Sequence, residues 1–128
     1  MTAGKPTVFV LDDDPAIQDS ILALLHAMKL PGEVFSTVRE FLDVYNPSQP
    51  GCLLLDIRMP GDDGFSLLKK LVDSENRMPV IVITGHGDSE TREKATELGA
   101  IEFFEKPVDA EQLCQGIREA LKRGSRVP

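Results

Sequence analysis

At 128 residues, with 41% hydrophobic and 27% charged positions, the chain has the size and composition of one soluble globular domain with a single core. Its formal net charge of −7 argues against a nucleic-acid-gripping surface on this domain, because such affinity rests on cations that neutralise phosphates. No stretch reads as a signal peptide or a membrane span, and Cys52 and Cys114 belong to no C-x-x-C pair, so no zinc or redox motif is visible and a reducing cytoplasm is the expected compartment.

The first apolar run is Val8, Phe9, Val10 and Leu11, and it ends in Asp12, Asp13 and Asp14. Pro15 stands where a first-turn proline is tolerated, and Ile17, Ile21, Leu24, Leu25 and Met28 share one helical face. A short strand is expected near Glu33, Val34 and Phe35, then a helix carrying Val38, Phe41, Leu42 and Tyr45. Cys52, Leu53, Leu54 and Leu55 run into Asp56, and Phe65, Leu68, Leu71 and Val72 mark the next helix. Val80, Ile81, Val82 and Ile83 run into Thr84. The helix expected over 88–98 is the weakest amphipath, with only Ala95 and Leu98 clearly apolar, and Gly99 is its stop. Ile101, Glu102, Phe103 and Phe104 precede Glu105, Lys106 and Pro107. Asp109 with Gln112 opens a last helix bearing Leu113, Ile117 and Leu121.

Apolar runs without strict alternation suit strands buried on both faces, the habit of parallel sheets. Strand–helix alternation repeated five times predicts an α/β domain: a doubly wound five-stranded parallel sheet, order 2-1-3-4-5, flavodoxin-like (βα)5. The domain is expected over 1–123, with 124–128 a tail or the start of a linker. In such sheets ligands bind beyond the carboxyl ends of the strands where strand order reverses, here between strands one and three. Those strands end in Asp12, Asp13 and Asp56.

Two carboxylates about 4 Å apart repel by roughly 4 kcal/mol at an effective dielectric near 20. Either a pKa rises or a cation fills the gap. Hard oxygen donors favour magnesium, with manganese as substitute, over zinc. Asp56 is the expected nucleophile, Asp13 a direct metal ligand and Asp12 its support. Lys106 suits the neutralisation of phosphoryl oxygens, Thr84 can donate a hydroxyl hydrogen bond, and Gly85 leaves the phosphorus accessible. Blander readings stand beside these. Asp14 reads as a helix cap, Thr84 as a possible loop cap, and His86 as either a solvated loop residue or a tuner of acyl-phosphate hydrolysis. The polar helix from Asp88 reads as merely exposed or as a partner surface.

Over about 7–123 the chain resembles the receiver domain of two-component response regulators. The resemblance rests on LDDDP, on DIRMP with Gly64 eight residues past Asp56, on ITGHGD and on FFEKP, in that order. It implies that Asp56 accepts a phosphoryl group from a sensor histidine kinase or phosphotransfer protein. It implies a magnesium site from Asp13, Asp56 and the main-chain carbonyl of Arg58, supported by Asp12. It also implies that Thr84 moves toward the phosphoryl group, that Phe103 turns inward in response, and that the Lys106–Pro107 bond is cis. Phe103 stands where other members carry tyrosine. The ITGHGD segment is similar to receivers that precede transcription-regulating output domains, so an output domain beyond residue 128 is implied. The expected readout is either dimerisation through the fourth helix, fifth strand and fifth helix or release of an attached effector, with no membrane partner.

Three other readings compete. A magnesium phosphohydrolase with an aspartyl-phosphate intermediate would often carry an acidic residue where Arg58 stands. A flavodoxin-like cofactor binder would need a phosphate-cradling loop after strand one, where three aspartates stand instead. A scaffold that binds partners without phosphorylation would not need the complete set of site residues.

Overall fold

A computed structural model of the chain describes residues 6–46, 48–73, 78–85 and 87–124. In chain order it contains β1 (Thr7–Leu11), α1 (Pro15–Ala27), β2 (Gly32–Phe35), α2 (Val38–Val44), β3 (Gly51–Asp56), β4 (Arg58–Met59), β5 (Asp62–Asp63), α3 (Gly64–Val72), β6 (Val80–Thr84), α4 (Ser89–Glu97), β7 (Glu102–Glu105) and α5 (Ala110–Gly124). The main sheet runs β2-β1-β3-β6-β7, every pair parallel. Counted over its own five strands, that is the expected order 2-1-3-4-5. β4 and β5 form a small antiparallel pair that the sequence did not announce, because two residues per strand carry no periodicity. α5 continues through Gly124, one residue into the segment expected as tail; 125–128 lie outside the described residues.

Alternation explains why the strands read as unbroken apolar runs. Phe9, Leu11, Leu53, Leu55, Val80, Val82 and Phe103 face one layer, where Phe41, Leu67, Leu68, Leu71 and Ala95 of α2, α3 and α4 cover them. Val8, Val10, Cys52, Leu54, Ile81 and Ile83 face the other, under Ile21 and Leu25 of α1 and Leu113, Ile117 and Ala120 of α5. Each fully buried aliphatic side chain contributes about 1.5–3 kcal/mol of transfer free energy.

Caps set where the helices begin. The side chains of Asp14, Thr37, Asp63, Asp88 and Asp109 accept from the backbone N–H of Ala16, Glu40, Ser66, Thr91 and Gln112, at 2.8–3.1 Å. Such caps are worth about 0.5–2 kcal/mol each. Two glycines are required by close approach. A Cβ at Gly64 would sit 2.8 Å from the Ile57 Cα, so glycine lets α3 start directly against the backbone that follows Asp56. Gly99 has φ +109° and follows the end of α4, where its Cβ would meet the Val72 side chain at 2.7 Å.

Cys52 is fully buried in β3, and burial pushes its thiol up to about 12, whereas Cys114 on α5 is half-buried. Thiolate is the nucleophile, so alkylation of the native protein near pH 8 is expected to add one label, at Cys114, with Cys52 reacting only after denaturation. Intact-mass measurement checks this, and two labels on native protein would contradict it.

Candidate functional site

The C-terminal ends of β1, β3, β6 and β7 lie side by side on one edge of the sheet. Asp12 is 3% exposed and Asp56 5% exposed. The Lys106 ammonium bridges them, 2.8 Å from Asp12 Oδ2 and 3.1 Å from Asp56 Oδ2, with its side chain 22% exposed. The Lys106 main-chain N–H also donates to the Thr84 carbonyl at 2.8 Å, so the residue is tied at both ends. Thr84 is fully buried at the end of β6. The Lys106–Pro107 peptide bond is cis, as the resemblance implied.

The two buried carboxylates use their remaining oxygens on nearby backbone. Asp12 Oδ1 accepts from the Asp14 N–H at 2.9 Å, and Asp56 Oδ1 accepts from the Arg58 N–H at 3.0 Å. Burial holds the Asp56 carboxyl above its ordinary value, outweighing the Arg58 N–H and the Lys106 charge that act the other way. Burial works against the Lys106 ammonium too, but the hydrogen bond to Asp12 and the charges of Asp56 and Asp12 override it, so its pKa is raised. The lysine therefore stays charged.

Asp13 is exposed at the rim. Asp12, Asp13 and Asp56 each offer a carboxylate oxygen, and these oxygens lie within 4.8 Å of one another. Three carboxylates against one ammonium leave an excess of negative charge. An all-oxygen set of this span fits a hard divalent cation that keeps part of its water shell. Such a site can hold a dication and an anionic oxygen together.

Of the other expected residues, Gly85 is exposed, and a Cβ added there meets no atom within 4 Å, so the space beside Thr84 is open. His86 lies outside the described residues. Phe103 is 7% exposed and already packed in the core, with the Arg92 guanidinium 4.7 Å from its ring centroid. Phe104 points to the opposite face and packs with the α1 and α5 layer. Arg58 has a second contact: its Nη2 donates to Thr91 Oγ1 of α4 at 3.1 Å. A groove of about 570 Å³ lies on the α4, β7 and α5 side, lined by Arg92, Phe103, Glu105, Val108, Gln112 and Gln115 among others.

Two contributors escaped the sequence reading. Gln18 of α1 donates through Nε2 to the Asp12 carbonyl at 2.6 Å and to Ser36 Oγ at 3.1 Å, holding the acidic loop against the β2–α2 connection. Thr91 is buried on a helix that otherwise reads as solvated. Gln18 gives no signal in one sequence; Thr91 lies four residues before Ala95, a helical spacing that does mark the buried stripe.

The family model for the response regulator receiver domain matches residues 8–118. Response regulator protein TodT of Pseudomonas putida is 40% identical over 122 residues, covering 95% of this chain and 54% of TodT. Transcriptional regulatory protein FixJ of Bradyrhizobium diazoefficiens is 36% identical over 119 residues, covering 93% of this chain and 58% of FixJ. The chain thus spans little more than half the length of these curated relatives. Among solved structures, response regulator StyR superposes with TM-score 0.87 at 38% identity, covering 95% of this chain and 62% of that one. FixJ-N superposes with TM-score 0.84 at 30% identity, covering 100% and 99%. With the strand-end acidic cluster, the lysine that spans it and the five-stranded parallel sheet in agreement with these matches, the chain belongs to the response regulator receiver domain family, among relatives that regulate transcription.

Proposed function

We propose that this domain is a phosphorylation switch in which Asp56 accepts a phosphoryl group from the phosphohistidine of a sensor histidine kinase or phosphotransfer protein. The observation that carries this reading is the ammonium of Lys106 shared between Asp12 and Asp56, with Asp13 beside them. An Asp56 oxygen attacks phosphorus, the P–N bond breaks as the P–O bond forms, and the electron pair stays on the leaving imidazole nitrogen. Asp12, Asp13, Asp56 and the Arg58 main-chain carbonyl would hold magnesium, or manganese in its place. When bound, the ion neutralises charge on the phosphoryl oxygens. Lys106 contributes a second positive charge to those oxygens, and the Thr84 hydroxyl donates to one of them. Gly85 leaves an approach for the donor and for the water that slowly removes the phosphoryl group, and His86 is positioned in sequence to tune that loss. The domain turns over no metabolite; it is a phosphoacceptor that completes its own transfer.

The phosphoryl group would bias an existing equilibrium rather than create a new state. Thr84 and Phe103 are the switch residues, and the face of β6, α4, β7 and α5 is the readout. Phosphorylation there would control homodimerisation or an output domain beyond residue 128, transcriptional by analogy with the relatives. The receiver unit is taken as 1–123, with 124 onward leading out of it. The described residues contain no helix long and apolar enough to cross a membrane, and we take the working compartment to be the cytoplasm.

Incubation with acetyl phosphate and magnesium is expected to add the mass of one phosphoryl group, and Asp56→Asn should abolish the gain. A gain that persists in that variant removes Asp56 from its role. Omitting the divalent ion, or Asp13→Asn, should slow labelling by at least an order of magnitude, read by the same mass measurement.

The raised Asp56 pKa gives a stability prediction with a definite sign. Its ionisation opposes folding, so the cost is absent below the ordinary carboxylate range near 4 and is complete above the raised folded value. In the absence of divalent ions, Asp56→Asn should therefore raise the thermal midpoint at pH 7, and the advantage should vanish as pH falls below about 4. Thermal unfolding across that pH range checks it; a lower midpoint at pH 7 would refute it.

A further inference from the structure

α4 is docked by polar side chains rather than by an apolar stripe. Its buried residues are Thr91 and Ala95 alone. Around them, Arg58 Nη2 donates to Thr91 Oγ1, the Arg92 guanidinium covers the Phe103 ring, and the Lys94 ammonium lies 4.4 Å from the Phe65 ring centroid. A helix with so little apolar burial opens at low free-energy cost, so each such contact carries a large share of its docking.

Of these three contacts only the one from Arg58 reaches the acidic cluster. Its main-chain N–H donates to Asp56 Oδ1 while its guanidinium ends on the buried hydroxyl of Thr91. A guanidinium on a neutral hydroxyl makes a weaker bond than the same guanidinium in a bidentate pair with a carboxylate or phosphate. A group added to the Asp56 carboxylate is added next to the Arg58 main-chain N–H, which lies 3.0 Å from Oδ1.

We propose that Arg58 is a partner-switching positioning residue: it holds α4 through Thr91 while Asp56 is unmodified, and leaves Thr91 for phosphoryl oxygens once Asp56 carries them. The switching half rests on the phosphoacceptor reading of Asp56; the docking half does not. The phosphoryl group shifts the helix only by the difference in what it offers each state, and the guanidinium supplies that difference. Releasing Thr91 also removes one of the contacts that keep α4 beside Phe103, which joins the site to the readout face through one side chain.

Amide hydrogen exchange of the unphosphorylated, metal-free protein tests the docking. Thr91→Val removes the acceptor and keeps the shape, Arg58→Met removes the donors and keeps an apolar stem, and Thr91→Ser restores the hydroxyl. The first two should speed exchange in α4 about five-fold with α1 and α5 unchanged, and the third should not. Unchanged α4 exchange in both overturns the docking. After acetyl phosphate treatment, wild-type α4 should exchange faster than before, while in Arg58→Met the already fast rate should move little. A phosphorylated wild-type protein whose α4 exchanges at the unmodified rate overturns the switching. If the wild-type protein takes no phosphoryl group, the phosphoacceptor reading fails and the switching falls with it, and the first measurement still decides the docking.

Discussion

Two carboxylates at the ends of adjacent buried strands are a costly arrangement, and the Lys106 ammonium between them is what makes it tenable. Asp12 and Asp56 would repel each other across a poorly solvated gap. The lysine meets both within hydrogen-bonding distance and is fixed by its own main chain to the end of β6. Four strands must therefore end at matching heights for the site to exist. The parallel register, in which Leu11 pairs with Leu55, Leu55 with Val82 and Val82 with Phe103, provides that alignment. Charge neutralisation is incomplete, because Asp13 adds a third carboxylate at the rim. The remaining negative charge is what makes the site receptive to a dication.

Much of this was legible in the residue order, for physical reasons. Runs such as Val80 to Ile83 are apolar at every position because helices cover both sheet faces, and that doubles the signal of each strand. Sites at strand ends are legible for a related reason: a run of aspartates directly after such a run has nowhere to go but the sheet edge. The short β2 gave a weaker signal, since Phe35 is the one buried residue of its four. The β4–β5 pair gave none, being too short for a period. The side-chain bonds that tie the site to its surroundings were also invisible. Gln18 to the Asp12 carbonyl and Arg58 to Thr91 join residues separated by 6 and 33 positions, and such pairings depend on the relative placement of elements rather than on local pattern.

The same contrast explains α4. Its sequence reads as solvated because charged residues dominate it, yet two of those charges serve as aromatic covers. Arg92 lies over Phe103 and Lys94 over Phe65. A cation over a ring gains about 0.5–1 kcal/mol when exposed and keeps its hydration on the far side. That form of adhesion holds a helix without committing it to the core. It also leaves Phe103 buried, 7% exposed, under the Arg92 guanidinium.

The sheet divides the molecule into two compartments that share walls but not contents. Side chains from α1 and α5 fill one, and those from α2, α3 and α4 fill the other. A rearrangement under α4 therefore draws on only half of the buried interior. The α1 and α5 half can stay seated and act as the fixed frame against which such a movement is measured. Injuries placed one in each compartment, with no atoms in common, should compound by simple addition rather than rescue or amplify each other.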